Sequence, residues 1–232
     1  MSSAALPSAL TGDGPAVASQ WRPGLPAARH SEIFASADEA SGAGLALALA
    51  LDGVREDPRG ILWVQDKASI RLTGRPYRPG LPAELRARVI HVAARTPEDA
   101  LFALEEGLRC RDLACVIGEI AGNPRALGLT ASRRLSLAAE KHGVPLFLVR
   151  LAAQRDLSSA RMRWDVRPAP SQGAQWNKAA PGIPGWRAEL FRSRSYRQGE
   201  WILRDDGQSL IAGSPHHGDL AAAPGDRSLA AF

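Results

Sequence analysis

A chain of 232 residues that is 45% hydrophobic can bury one sizeable α/β core and still have length for tails. No apolar run approaches bilayer-spanning length, Met1–Gly14 lacks the basic and apolar regions of a secretory signal, and two cysteines, Cys110 and Cys115, suit a reducing cytosol, so a cytoplasmic protein without a membrane anchor is expected. The formal charge of +5, carried mostly by Arg, fits nucleic acid or an acidic partner, and equally the Arg-rich codon usage of a GC-rich genome.

In chain order, residues 1–29 are interrupted by Pro7, Gly12, Gly14, Pro15, Pro23, Gly24 and Pro26 and are expected to be flexible, with Trp21 and Leu25 able to dock on the domain. Ser31-Glu-Ile-Phe34 predicts a strand, a short polar loop follows, and Ser41-Gly-Ala-Gly44 leads into the helical run Leu45–Leu51. Strand, Gly-containing loop and helix form the frame of a phosphate-binding loop. A working loop continues Gly-Lys-Ser/Thr, the Lys for the β/γ-phosphates and the hydroxyl for Mg²⁺. Here Gly42 is followed by Ala43 and Gly44, so cation and hydroxyl are both missing.

Gly60–Val64 and Arg88–Ala93 read as buried strands on either side of a Pro-rich loop, Thr73–Pro82. Thr96-Pro97-Glu98-Asp99 predicts a helix start, and Leu101, Leu104 and Leu108 fall on one face of that helix. Leu113–Ile117 predicts a strand, Thr130 the cap of a helix ending at Gly143, and Val144–Val149 a fourth strand of this alternating series. The alternation over residues 31–149 implies a mostly parallel sheet flanked by helices. Beyond it, Arg161–Arg167 reads as a strand, Pro168–Pro184 as a loop, and Trp186–Phe191 with Glu200–Leu203 as an antiparallel hairpin joined through Arg192–Gly199. The expected organisation is a flexible segment 1–29, a domain 30–204 and a disordered tail 205–232.

This order resembles the RecA-like ATPase core, and more closely the ImuA family, the RecA-like proteins of bacterial damage-induced mutagenesis. The matching runs are His30–Phe34, Gly42–Leu51, Ile61–Val64, Asp99–Cys110, Leu129–Glu140 and Trp186–Arg192, of which Glu105-Glu-Gly-Leu-Arg-Cys110 and Thr130-Ala-Ser-Arg-Arg-Leu135 are the most specific. The resemblance implies a RecA-like fold and a non-catalytic partner in translesion synthesis, beside an ImuB-type protein similar to Y-family polymerases and an error-prone DnaE-type polymerase, with RecA and DNA as further contacts. Two other readings stay open: a degenerate but active ATPase, and a SulA-like cell-division inhibitor. The Glu105–Cys110 run favours the ImuA reading.

A RecA-like ATPase also needs an Asp at a strand end for Mg²⁺ and an acid that polarises the attacking water. Gly118 stands at the first position, with Glu119 beside it either substituting for the Asp, as the active-ATPase reading needs, or facing solvent, the reading preferred here, and Asp66 stands at the second. Without the Lys and the metal ligands, one carboxylate does not stabilise phosphoryl transfer, so neither catalysis nor a cofactor is expected. Cys110, Cys115, His91 and His142 lack the paired spacing of a zinc site, and His216-His217 lacks a third ligand, so no metal site is expected. Arg133, Arg134, Arg161, Arg163, Arg192, Arg194 and Arg197 are the candidate contacts to DNA or a partner, Arg161 and Arg163 alternating with Trp164 as a single-strand binder would. The competing reading makes Trp164 and Trp186 core residues and the arginines a solvated edge, and it is slightly favoured. The apolar end Arg227–Phe232 reads as either a docking motif or a chance Phe.

Overall fold

The computed structural model describes residues 19–25, 29–172, 180 and 182–213. Its elements are β1 (His30–Ala35), α1 (Ser41–Val54), β2 (Gly60–Asp66), α2 (Lys67–Thr73), β3 (Val89–Ala94), α3 (Pro97–Arg109), β4 (Leu113–Ala121), α4 (Leu129–His142), β5 (Leu146–Leu151), β6 (Met162–Gln172), β7 (Ile183–Ser193), β8 (Gly199–Asp205) and β9 (Leu210–Gly213). Two 3₁₀ turns, Arg78–Gly80 and Ala83–Leu85, interrupt the Pro-rich loop between α2 and β3.

The elements join in one sheet of order β3-β2-β4-β5-β1-β6-β7-β8-β9. Its first six strands are parallel, and β7, β8 and β9 continue it as an antiparallel meander. The expected α/β class, with a mostly parallel sheet and a C-terminal antiparallel part, is the fold seen. Alternation along the strands sorts side chains to two cores. Ile61, Ile117, Phe147 and Val149 face α1, while Leu62, Val116, Leu146 and Leu148 face α3 and α4.

Local chemistry explains the element ends. Thr96 Oγ1 accepts the Asp99 N–H at 3.1 Å and Pro97 opens α3, as its sequence predicts. Gly143 closes α4 in the left-handed region at φ 73°. The start of α4 differs from expectation: Gly128 is the cap and makes no side-chain bond, so Thr130 lies inside the first turn. The buried Leu127 fixes the chain on the core one residue before that cap.

Three strands are longer than their sequence signal. β4 runs on through Gly118 and Glu119 to Ala121, while β6 and β7 take in both ends of the stretch read as a loop. The sheet also takes in Leu210–Gly213, inside the segment expected to be disordered. Asp206 accepts the N–H groups of Gln208 and Ser209, each at 2.8 Å, and Gly207 adopts φ 89°, which turns the chain so that Leu210 is buried. Trp21 docks as expected: its ring sits edge-on to Trp164 at 4.8 Å and Trp201 at 5.4 Å, beside a short bridge from Gln20 to Arg197.

Candidate functional site

A cleft of about 340 Å³ opens at the carboxyl ends of the parallel strands, between the start of α1 and the loop after α2. Crevices there are the usual ligand sites of open α/β sheets. Leu47, Trp63, Tyr77 and Leu81 make its walls apolar, and its charged lining is Glu39, Glu119 and Arg75.

The phosphate position lies at the first turn of α1, and the sequence there builds something else. The loop 36–40 brings two acids, Asp38 and Glu39, in place of glycines. Ser36 Oγ accepts the Asp38 N–H at 3.2 Å, and the Glu39 carboxylate accepts the Ser41 N–H. The α1 N-terminus, which would attract an anion through its free N–H groups, therefore carries the chain's own anion. None of residues 36–40 has positive φ, so the backbone forms no anion-cradling nest. The other oxygen, Glu39 Oε1, is buried without a hydrogen bond among the described residues.

Gly42 and Gly44 serve packing. A Cβ on Gly42 would come within 2.7 Å of Val149 Cγ1 and 2.8 Å of the Ala35 Cβ, and one on Gly44 within 2.9 Å of Trp186 Nε1. The glycines let α1 lie against the sheet and under the Trp186 indole. Ala43 and Gly44 line the cleft, where Lys and Ser/Thr would have to stand for phosphate and Mg²⁺. The residues present do not fit a magnesium–nucleoside triphosphate.

The acidic positions resolve differently from their sequence reading. Asp66 is buried and caps α2, accepting the Ser69 N–H at 2.7 Å, and it does not line the cleft. Gly118 lies mid-strand on the α3 side, where a Cβ would come within 2.9 Å of both Leu104 Cδ2 and Leu148 Cδ1. It is a close-packing position, and no side chain there could reach the cleft. Glu119, expected to face solvent, is buried in the cleft floor because β4 runs past it. It accepts Trp63 Nε1–H at 2.6 Å and the Thr73 hydroxyl at 3.3 Å. Burial pushes its carboxyl above the ordinary glutamate value, against those hydrogen bonds. Next to it Gln65 donates to the Gly74 carbonyl at 2.9 Å and meets His91 Nε2 at 2.9 Å. Burial, with Arg75 nearby, lowers the His91 pKa.

The candidate arginines fall into three groups. Arg133 and Arg134 are exposed on α4, Arg134 paired to Glu105. Arg192, Arg194 and Arg197 are exposed around the β7–β8 connection, with Arg161 close by and bound to Glu140 at 2.6 Å. Because Met162 pairs with Ser193, this connection sits at the starting ends of β1 and β6, the opposite end of the sheet from the cleft. Arg163 corrects the solvated-edge reading. It is buried, with Nε 2.8 Å from Glu32 Oε2 and its guanidinium over the Phe34 ring at 5.0 Å. Trp164 is fully buried on the opposite face, and Trp186 is core as well. Glu32 also accepts the Ser158 hydroxyl at 2.7 Å and lies 3.8 Å from the buried Arg150.

The cysteines are free, Cys115 buried with its thiol pushed up to about 12 by burial and Cys110 exposed. Among the described residues no group of His, Cys, Asp and Glu could hold a metal ion, and no helix is long and apolar enough to cross a membrane. His216-His217 and Arg227–Phe232 lie outside the described residues. Sequence reasoning missed Asp38 and Glu39, whose signal was two acids where a phosphate loop wants glycines. It also missed Glu32, an acid inside a predicted buried strand, which requires a buried partner.

No protein-family model matches the chain. Two curated proteins do: Protein ImuA of Caulobacter vibrioides strain NA1000 / CB15N and of strain ATCC 19089 / CIP 103742 / CB 15, each 34% identical over 228 residues, covering 90% of this chain and 86% of the relative. The chain belongs to the ImuA family. Membership of that family gives the chain a role in the damage-induced mutagenesis system.

Proposed function

We propose that this ImuA-family protein is a non-catalytic adaptor of translesion synthesis, a RecA-like domain whose former nucleotide end has become a protein-facing surface. The observation that carries the reading is the Glu39 carboxylate on the first turn of α1, on the N–H group of Ser41 that a phosphate loop would offer to its nucleotide. A triphosphate brought there would meet Asp38 and Glu39 with no lysine at Ala43 to offset them. The strand order β3-β2-β4-β5-β1 and the α1 position support descent from a RecA-like core. The adaptor's partners are an ImuB-type protein and, through it, a DnaE-type polymerase, with RecA and DNA as further contacts. The exposed Arg192, Arg194 and Arg197 supply the surface for an acidic partner or for phosphates, and a DNA contact there would weaken steeply with salt.

Two measurements on the full chain test this. Calorimetric titration with ATP, with and without Mg²⁺, is expected to give no binding heat. Size-exclusion chromatography with a purified ImuB-type protein is expected to give a complex without nucleotide. Magnesium-dependent ATP uptake with turnover abolished by Asp66→Ala would establish the ATPase reading instead. Failure of the two proteins to associate would remove the adaptor reading.

A further inference from the structure

The outer surface of the α3–α4 pair carries two stripes of matching form and opposite charge. On α3 the stripe is Glu98, Phe102 and Glu106, and on α4 it is Arg133, Leu137 and Lys141, each at i, i+4, i+8, which is one line along a helix. Both central residues are large and apolar yet open to solvent, Phe102 67% and Leu137 54% exposed. Each stripe lies opposite the face its helix buries, which on α3 is Leu101, Leu104 and Leu108 and on α4 is Leu135 and Ala139. The two helices touch through Glu105 and Arg134, so the stripes lie side by side on one surface. Glu98, Arg133 and Lys141 form no ion pair among the described residues, and Glu106 pairs only with Arg109 of its own helix.

We infer that this surface docks a second copy of the chain in an isologous dimer, with α3 of each copy seated on α4 of the other. Both helices return along a parallel sheet and so run in the same direction. A two-fold axis lying along the pair then sets each acidic stripe over the partner's basic one, with Phe102 and Leu137 of both copies inside the contact. A two-fold axis across the pair would set α3 on α3 and α4 on α4, acid against acid and base against base. Charge therefore selects one arrangement, and the two apolar residues supply the area that leaves water. A partner carrying only one sign of charge would match half of this surface, whereas a second copy matches all of it.

Sedimentation equilibrium on the full chain at about 100 μM and about 0.1 M salt is expected to show a dimer that dissociates as salt approaches about 1 M. Glu98→Lys with Glu106→Lys makes both stripes basic, and Arg133→Glu with Lys141→Glu makes both acidic. Each double variant alone is expected to sediment as a monomer, and an equimolar mixture to regain a dimer. These are surface positions, and a circular-dichroism melt of each variant establishes that it is folded. A wild-type chain that stays monomeric at low salt overturns the inference. So does a dimer indifferent to both variants, or a mixture of two folded variants that does not associate. Binding of the wild-type surface only to an unrelated protein, without self-association, also overturns it.

Discussion

Two glutamates, Glu32 and Glu119, lie almost equally hidden on neighbouring parts of the same sheet, and their surroundings differ in kind. Glu32 on β1 is held by the Arg163 guanidinium at 2.8 Å, with Arg150 at 3.8 Å and the Ser158 hydroxyl at 2.7 Å. Glu119 on β4 has only neutral partners, Trp63, Gln65 and Thr73, and its carboxyl is raised by burial. The first carboxylate is a tie between β1, β5 and β6. The second is the floor of an open cleft, tolerated as a poorly compensated acid where nothing else needs that position. A buried charge with cationic partners becomes part of the architecture, whereas one with neutral partners leaves a site whose polarity can be changed.

The contrast can be broken most forcefully at Glu32. Glu32→Ala leaves Arg150 and Arg163 buried without their shared counter-ion, and about 3–5 kcal/mol of stability is expected to go, read from urea unfolding by circular dichroism. A loss comparable to a surface substitution would mean that the guanidiniums find water or Asp156 instead. The next effect is acid-driven and comes from His30 in the same region. Its ring is fully buried with Nδ1 2.7 Å from Ser136 Oγ, and burial lowers its pKa from 6.5 to about 4. A depressed histidine gives stability that is complete above pH 6.5 and lost as pH falls towards 4, here about 3 kcal/mol. Comparing the urea midpoints of wild type and His30→Gln across that range isolates this loss, since the variant lacks the titrating ring.

At the cleft end the effects are smaller. Asp66→Ala removes the α2 cap and is expected to cost about 1 kcal/mol in a thermal or urea melt, with nucleotide handling unchanged. Glu119→Gln is expected to act in the opposite direction. A carboxyl raised in the folded state gives stability that is present below the unfolded value and lost as pH rises through the folded one. The variant should therefore gain on the wild type at neutral pH, with the gain vanishing towards pH 4.5. If Glu119→Gln destabilises at neutral pH, the carboxylate is held by more than its neutral neighbours Trp63, Gln65 and Thr73, and the contrast with Glu32 fails.

The strand–helix alternation was legible because buried parallel strands are short apolar runs bounded by turn residues, as at Ile61–Val64 and Leu146–Val149. Strand ends were less so. Gly118-Glu119 looked like the exit from β4, yet a glycine facing Leu104 and Leu148 and an acid sheltered by Trp63 both lie inside the sheet. The missing lysine and hydroxyl at Ala43 and Gly44 could be read directly, since an absence at fixed spacing is a sequence fact. What replaces them could not: that Glu39 turns back onto the helix depends on the loop's path, and that Gly44 makes room for Trp186 depends on a residue 142 positions later. Arg163 was misjudged because alternation shows that it lies opposite Trp164 and says nothing of what covers that face, which here holds Glu32, Phe34 and Phe191.

The strand order has a consequence for how the molecule comes into being. β1 is among the first elements made, yet both of its neighbours, β5 and β6, come after residue 145, and Glu32 meets Arg163 across 131 positions of chain. During synthesis the ribosome must deliver most of the domain before this strand has anything to pair with, and closing so long a loop is slow. A nascent chain arrested before β6 offers Glu32 only Arg150 at 3.8 Å and lacks both the Arg163 guanidinium and one of the strands that flank β1, so the native state can be reached only by a polypeptide translated past that point.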